Sequence, residues 1–225
     1  MAVTELIILK LNPDASAETV STVLDATVST LRGAAGNQRV RWSRIIEDPN
    51  TVRIFVDWDA VANHHAFAAD AAVFGPFKAK LGSILAAPPQ TPYHVEFAPQ
   101  PASVLDNKKP GAESPVAEVL HAYFPADFSE EAKGKVVGVV HEFVKKMQAF
   151  ATGLTGEVAL GWTWETLEFK GEQCVALVAA LGWKSLEAHL QAREHEDFAK
   201  VIPMLRTLEG LKGMELVHVS NTTAE

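Results

Sequence analysis

Trp58 and His64 stand six residues apart in WDAVANH, and Trp183 and His189 stand six residues apart in WKSLEAH. Two uncommon residue types repeated at one spacing mark a duplicated unit, and duplication restricts the chain to folds built from two equivalent halves. The rest of the sequence extends the match. Leu11-Asn12-Pro13 with Ser16 aligns with Phe124-Pro125-Ala126 with Ser129, Trp42 with Trp162, and His94 with His218.

Each half reads strand, helix, strand, strand, helix, strand. In the first, ELIILKL predicts a strand, and ASAETVSTVLDATVSTLRG predicts a helix with Ser16 as N-cap and Gly33 at its end. QRVRWSRIIE and TVRIFVDW alternate like strands and are separated by the turn residues Asp48, Pro49 and Asn50. A helical stretch from Asp59 to Leu85 is expected to break near Gly75 and Pro76, and TPYHVEF closes the unit. The second half repeats the order with VAEVLHAYF, a helix from Ser129, EVALGWTWETLEF, CVALVAALGW, a helix from Ser185 to Gly210, and MELVHVS. Residues 98–115, rich in Pro, Ser, Lys and Asn and without a period, predict a linker between units at 1–97 and 116–221.

A βαββαβ unit predicts an α+β ferredoxin-like fold, with helices over one face of a four-stranded antiparallel sheet. Because the strands are apolar on both faces, the helix-free face needs cover, and the other half can supply it. The expected architecture is two tandem ferredoxin-like units packing sheet to sheet into one intramolecular α/β barrel. The chain resembles the dimeric α/β-barrel superfamily, in its antibiotic biosynthesis monooxygenase-like and stress-responsive branches. There an aromatic residue ends the third strand and a His follows in the next helix, as Trp58 with His64 and Trp183 with His189 do here. The resemblance covers both halves but not the linker, and it implies two fused protomers: a monomeric pseudo-dimer, or a dimer of complete barrels. The linker would act as a tether that raises effective concentration.

Composition narrows the partners. A net charge of −8 gives no electrostatic footprint for nucleic acid. The N-terminal apolar run meets Lys10 well short of the roughly 20 residues a membrane span needs, so a soluble, cytoplasmic protein is expected. The single cysteine, Cys174, lies in the apolar run CVALVAAL, where burial is expected, and cannot form an internal disulfide or thiolate metal cluster. There is no HExxH and no phosphate-binding glycine loop, and Glu194 and Glu196 flank His195 with diverging side chains. Neither a metal nor another cofactor is expected.

Candidate chemistry lies where the copies differ. Leu6, Ile8 and Lys10 on one face of the first strand correspond to Val119, His121 and Tyr123, while Ile7, Leu9 and Leu11 correspond to Leu120, Ala122 and Phe124 on the other. Arg44 corresponds to Trp164, and Asp70 to His195. His121 and Tyr123 are thus candidate base and hydrogen-bond donor, with His189, in a pocket walled by Trp162 and Trp164, with His64 and His195 as further contacts. His64 and His189 could equally lock strand to helix, and His94 and His218 read as structural. The resemblance implies a small-molecule enzyme of secondary-metabolism type, a monooxygenase or a cyclase or lyase. Its substrate would be aromatic or polyketide-derived, handled without metal or nucleotide. The alternatives are a stress-responsive barrel that binds a small hydrophobic ligand without catalysis, and haem binding by a His. An open polar-lipped pocket beside His121, Tyr123 and Trp164 would favour the enzyme.

Overall fold

The computed structural model describes residues 1–225. The first half comprises β1 (Val3–Lys10), α1 (Ala17–Arg32), β2 (Asn37–Arg44), β3 (Thr51–Trp58), α2 (Val61–Ala69), α3 (Ala71–Gly82) and β4 (Tyr93–Val95). The second comprises β5 (Val116–Pro125), α4 (Glu130–Met147), β6 (Leu154–Trp162), β7 (Leu167–Phe169), β8 (Glu172–Trp183), α5 (Leu186–Glu194), α6 (Phe198–Val201), α7 (Pro203–Arg206) and β9 (Gly213–Val219), followed by β10 (Thr222–Ala224).

Local sequence accounts for the helices that cover the two sheets. Ser16 and Ser129 cap α1 and α4 by accepting from the backbone N–H of Thr19 and Ala132. Val20, Val23, Leu24, Thr27 and Leu31 recur at helical spacing and bury against the first sheet, as Val136, Val140, Phe143, Val144 and Met147 do against the second. Each large apolar side chain so buried contributes about 1.5–3 kcal/mol.

The later helices differ from expectation. The stretch after Trp58 breaks at Asp70, whose carboxylate accepts from Ala72 N–H and starts α3, while Pro76 lies inside α3. The stretch after Ser185 is three short helices, interrupted at His195, where the backbone turns extended, and restarted at Pro203. EVALGWTWETLEF is likewise two strands, because β7 folds back to pair with β8 as a hairpin.

The sheets run β10-β2-β3-β1-β4 and β6-β8-β5-β9, all antiparallel along these paths. Leu6, Phe55 and Val95 of the first sheet pack with Val119, Val178 and Val219 of the second in one core, so the helix-free faces cover each other. Isolated bridges join the sheet edges on both sides, Ile45 to Val219, and Val95 to Thr163 with Ala98 to Leu160. The product is a closed α/β barrel made by one chain, with helices outside.

Residues 98–115 are not a free tether. Ala102, Val104 and Leu105 are buried in the core between the sheets, and Asn107 Nδ2 donates to the carbonyls of Val104 and Ser114. Asp106 accepts from Arg41 at 2.5 Å and from Arg39 at 2.9 Å, while the fully buried Arg41 also bonds Asp57 at 2.9 Å. Asp106 and Asn107, two of the polar residues that gave this stretch a linker's composition, thus have buried partners. The chain end also crosses over: β10 leaves the second half and pairs with β2 of the first.

Candidate functional site

Strand alternation sends Glu5 and Glu118 to the helix-facing side of their sheets, one in each half, where burial of a carboxyl requires partners. Trp58 Nε1 donates to Glu5 at 2.8 Å, and Trp183 Nε1 donates to Glu118 at 3.0 Å. His64 Nε2 lies 3.3 Å from Glu5, and His189 Nε2 lies 3.5 Å from Glu118. On its other side, His64 Nδ1 meets His94 Nε2 at 2.8 Å, and His189 Nδ1 meets His218 Nε2 at 2.6 Å. The repeated Trp and His are therefore two members of a five-residue network, built twice.

Each network ends on the opposite half. His94 Nδ1 is 2.6 Å from Glu165, and His218 Nδ1 bonds Glu47. The same two carboxylates accept from the backbone N–H of His94 and His218 at 2.8 and 3.1 Å.

The charges follow from depth. Burial pushes the Glu5 carboxyl up to about 7 and raises that of Glu118, so both favour the protonated form. Burial, with the neighbouring His94 or His218, brings His64 down to about 4 and His189 down to about 3, leaving neutral imidazoles. Partial burial opposes ionisation of Glu47 and Glu165, but hydrogen bonds from His218 and His94 hold them below the usual carboxylate range. An ionised Glu47 fixes hydrogen on His218 Nδ1, which makes His218 Nε2 the acceptor from His189 Nδ1–H. His189 Nε2 then holds a free lone pair toward Glu118.

Only one of the two networks borders a deep apolar cavity. In the second half a space of about 190 Å³ between sheet and helices is lined by Leu120, Phe143, Leu181, Phe198 and Met214, with Glu118 and His189 in its wall and Arg193 and Arg206 among its lining. In the first half Phe67 packs against Trp58 at 6.0 Å and against Phe74 and Phe77. By the repeat, the residue matching Phe67 is Ala192. Glu118, His189 and His218 also offer ligand atoms within 4.8 Å of one another, a spacing that could hold a metal ion. They come from three separate elements, so linear spacing gave no sign of the trio.

The residues singled out from sequence fall in several places. His189 belongs to the helix-side pocket, and His64 to its counterpart without one. His121 and Tyr123 lie on the opposite face of β5, inside the barrel, where His121 Nε2 meets Tyr93 Oη at 2.6 Å and Tyr123 donates to Glu215 at 3.0 Å. The expected walls are elsewhere. Trp162 is paired opposite Leu177 and packs on Phe124 and Phe128 on the helix side, while Trp164 is half exposed at 51% beyond the strand end. His195 caps α5 at the surface and stacks on Phe150, outside the pocket. Glu5, Glu118, Glu47 and Glu165 were not singled out from sequence. The one available signal was an acid at the same place in both first strands, TELIILK and AEVLHAYF.

No family model and no curated relative matches the sequence. Solved structures do match over nearly the whole chain. An anthrone oxidase-like protein superposes with a TM-score of 0.61 at 12% identity, covering 99% of this chain and 92% of its own. A candidate monooxygenase from Fusobacterium nucleatum gives 0.59 at 12% identity, covering 100% and 94%. A mutant chlorite dismutase from Candidatus Nitrospira defluvii gives 0.52 at 11% identity, covering 96% and 90%. At these identities the likeness is one of fold. The chain is a fused two-unit α/β barrel of the ferredoxin-like class, the architecture its sequence resemblance implied. No helix is long and apolar enough to cross a membrane.

Proposed function

We propose that the chain is a small-molecule enzyme of monooxygenase-like type, acting on a small aromatic substrate in the helix-side pocket of the second half. The observation that carries this reading is the pairing of Glu118 and His189 with an apolar cavity, set against the first half, where the cavity beside Phe67 is lined by neither Glu5 nor His64. The volume of about 190 Å³ suits a ligand of one or two rings, since an apolar cavity of about 150 Å³ takes benzene. Larger polyketide-like substrates would extend past Arg206 and the part-exposed Leu216. The names of the anthrone oxidase-like and monooxygenase neighbours agree with oxidative chemistry on such a compound.

The chemistry would begin with a proton. A phenol or activated C–H placed against His189 Nε2 gives up its proton there, while His189 Nδ1–H passes its own to His218 Nε2. The positive charge then rests on His218 beside ionised Glu47 and not on His189, whose burial disfavours it. Glu118, whose burial raises its carboxyl above the usual carboxylate range, can in its neutral form donate to the developing anion, and Arg193 lends it positive potential. The electron-rich anion is the form in which such substrates react with dioxygen or close a ring.

The test uses 1-naphthol and a panel of small phenols, with calorimetric binding and dioxygen uptake as readouts. Saturable binding that is lost in Met214→Trp, which narrows the cavity from its own lining, with turnover lost in His189→Gln, supports the reading. Binding unaffected by Met214→Trp sinks it.

A further inference from the structure

Three positions where the repeat fails, Arg53, His121 and Tyr123, converge on a second cavity, on the other face of the sheets. A space of about 760 Å³ opens at one end of the barrel between the two halves, lined by Arg53, Tyr93, His121, Tyr123, Phe169 and Glu215 among others. The first half supplies Arg53, and the second half has Val178 at the matching position; the second supplies His121 and Tyr123, where the first has Ile8 and Lys10. A symmetric pair of halves could not build this cavity, since each would bring the same residues to both sides.

Arg53 is the anomaly within it. Strand alternation aims it inward with Thr51 and Phe55, and its Nε and Nη1 are buried without a hydrogen-bond partner. A guanidinium cannot escape its charge by deprotonation, so orphaned donors in a sheltered site call for an anion. Neighbouring groups are already committed. Lys10 is held by Asp48 and Thr51, Tyr123 donates to Glu215, and His121 pairs with Tyr93. Aromatic rings flank the site, with Tyr123 stacked on Phe169 at 4.1 Å.

The geometry points to a binding site for a small aromatic carboxylate in the barrel cavity, its carboxylate paired with the Arg53 guanidinium and its ring against the Tyr93–Tyr123 wall. Glu215 and Glu168 at the same cavity oppose a second negative charge, which selects a monoanion over phosphate. The delocalised, weakly hydrated guanidinium of Arg53 suits a carboxylate as its partner. This site is separate from the helix-side pocket and does not depend on the activity proposed there.

Benzoate, benzamide and inorganic phosphate are the probes, titrated calorimetrically into the full-length protein with thermal shift alongside. Benzoate is expected to bind saturably, benzamide and phosphate at least about tenfold more weakly. Arg53→Met should abolish benzoate binding, and Arg53→Lys, which keeps the charge and guards against misfolding, should retain it about tenfold weakened. Met214→Trp, which narrows the other pocket from its own lining, should leave it unchanged. Benzoate binding that survives Arg53→Met, or that is lost in Met214→Trp, overturns the assignment, as does phosphate binding as tightly as benzoate. Absence of any benzoate binding at millimolar concentration does the same.

Discussion

Phe67 and Ala192 occupy the same register of the two halves, three residues after His64 and His189; the cavity beside Phe67 includes neither Glu5 nor His64 in its lining, whereas the second-half cavity is lined by Glu118 and His189. Phe67→Ala should destabilise the protein by about 3–5 kcal/mol in chemical denaturation, since a well-packed aromatic leaves a hole. Ala192→Phe forces a ring among packed core neighbours and should cost about 1–3 kcal/mol in the same denaturation.

The pH dependence of stability can be read from the first-half network. Glu5, raised to about 7 from 4.5, holds its proton in the folded state, so its contribution is full below pH 4.5 and is lost as pH rises to about 7. His64, lowered to about 4 from 6.5, resists protonation when folded, so its contribution is full above pH 6.5 and is lost as pH falls to about 4. Between about pH 4.5 and 6.5 the two slopes oppose and largely cancel. Glu5→Gln keeps the neutral shape of the protonated acid and removes one slope, so this variant should gain stability with rising pH across that window. The gain should stay under about 1.4 kcal/mol per unit, because His64 is only part-shielded. Urea midpoints at several pH values measure it, and a variant as flat as the parent would refute the coupling.

Asp106 anchors the connecting strap to buried Arg41. Asp106→Ala leaves that guanidinium with only Asp57 and should cost about 3–5 kcal/mol, with faster amide exchange through residues 102–107. Unchanged exchange there would show that apolar burial of Val104 and Leu105 holds the strap alone.

Separated halves should not behave as monomers. A chain of residues 1–97 lacks Glu165, β10 and the cover for Leu6 and Phe55. Sedimentation should find it self-associated or aggregated, and a well-folded monomer would contradict the sheet-to-sheet core.

The architecture was legible because Trp and His are rare enough for their repetition to be noticed, and because alternation in the first strands sorted the faces correctly. Leu9 and Phe124 face helices, while Leu6 and Val119 face the other sheet. The site was less legible. Glu5 and Glu118 sit in strands where an acid reads as solvent-facing, and Glu47 and Glu165 stand at different distances from Trp42 and Trp162, so aligning the copies does not pair them. Alternation placed Trp162 on one face of its strand without saying which, and only the pairing with Leu177 assigns it to the helix side. The strap was misread as a tether because composition does not reveal that Asp106 and Asn107 have buried partners.

The crossed carboxylates, Glu165 to His94 and Glu47 to His218, bear on descent as well as on structure. Each unit carries the terminal acid of the other's network, so neither network can be completed within its own half. Replacing either half with one that lacks its acid would leave the other half's histidine pair without its anchor, so the two units are constrained to change together.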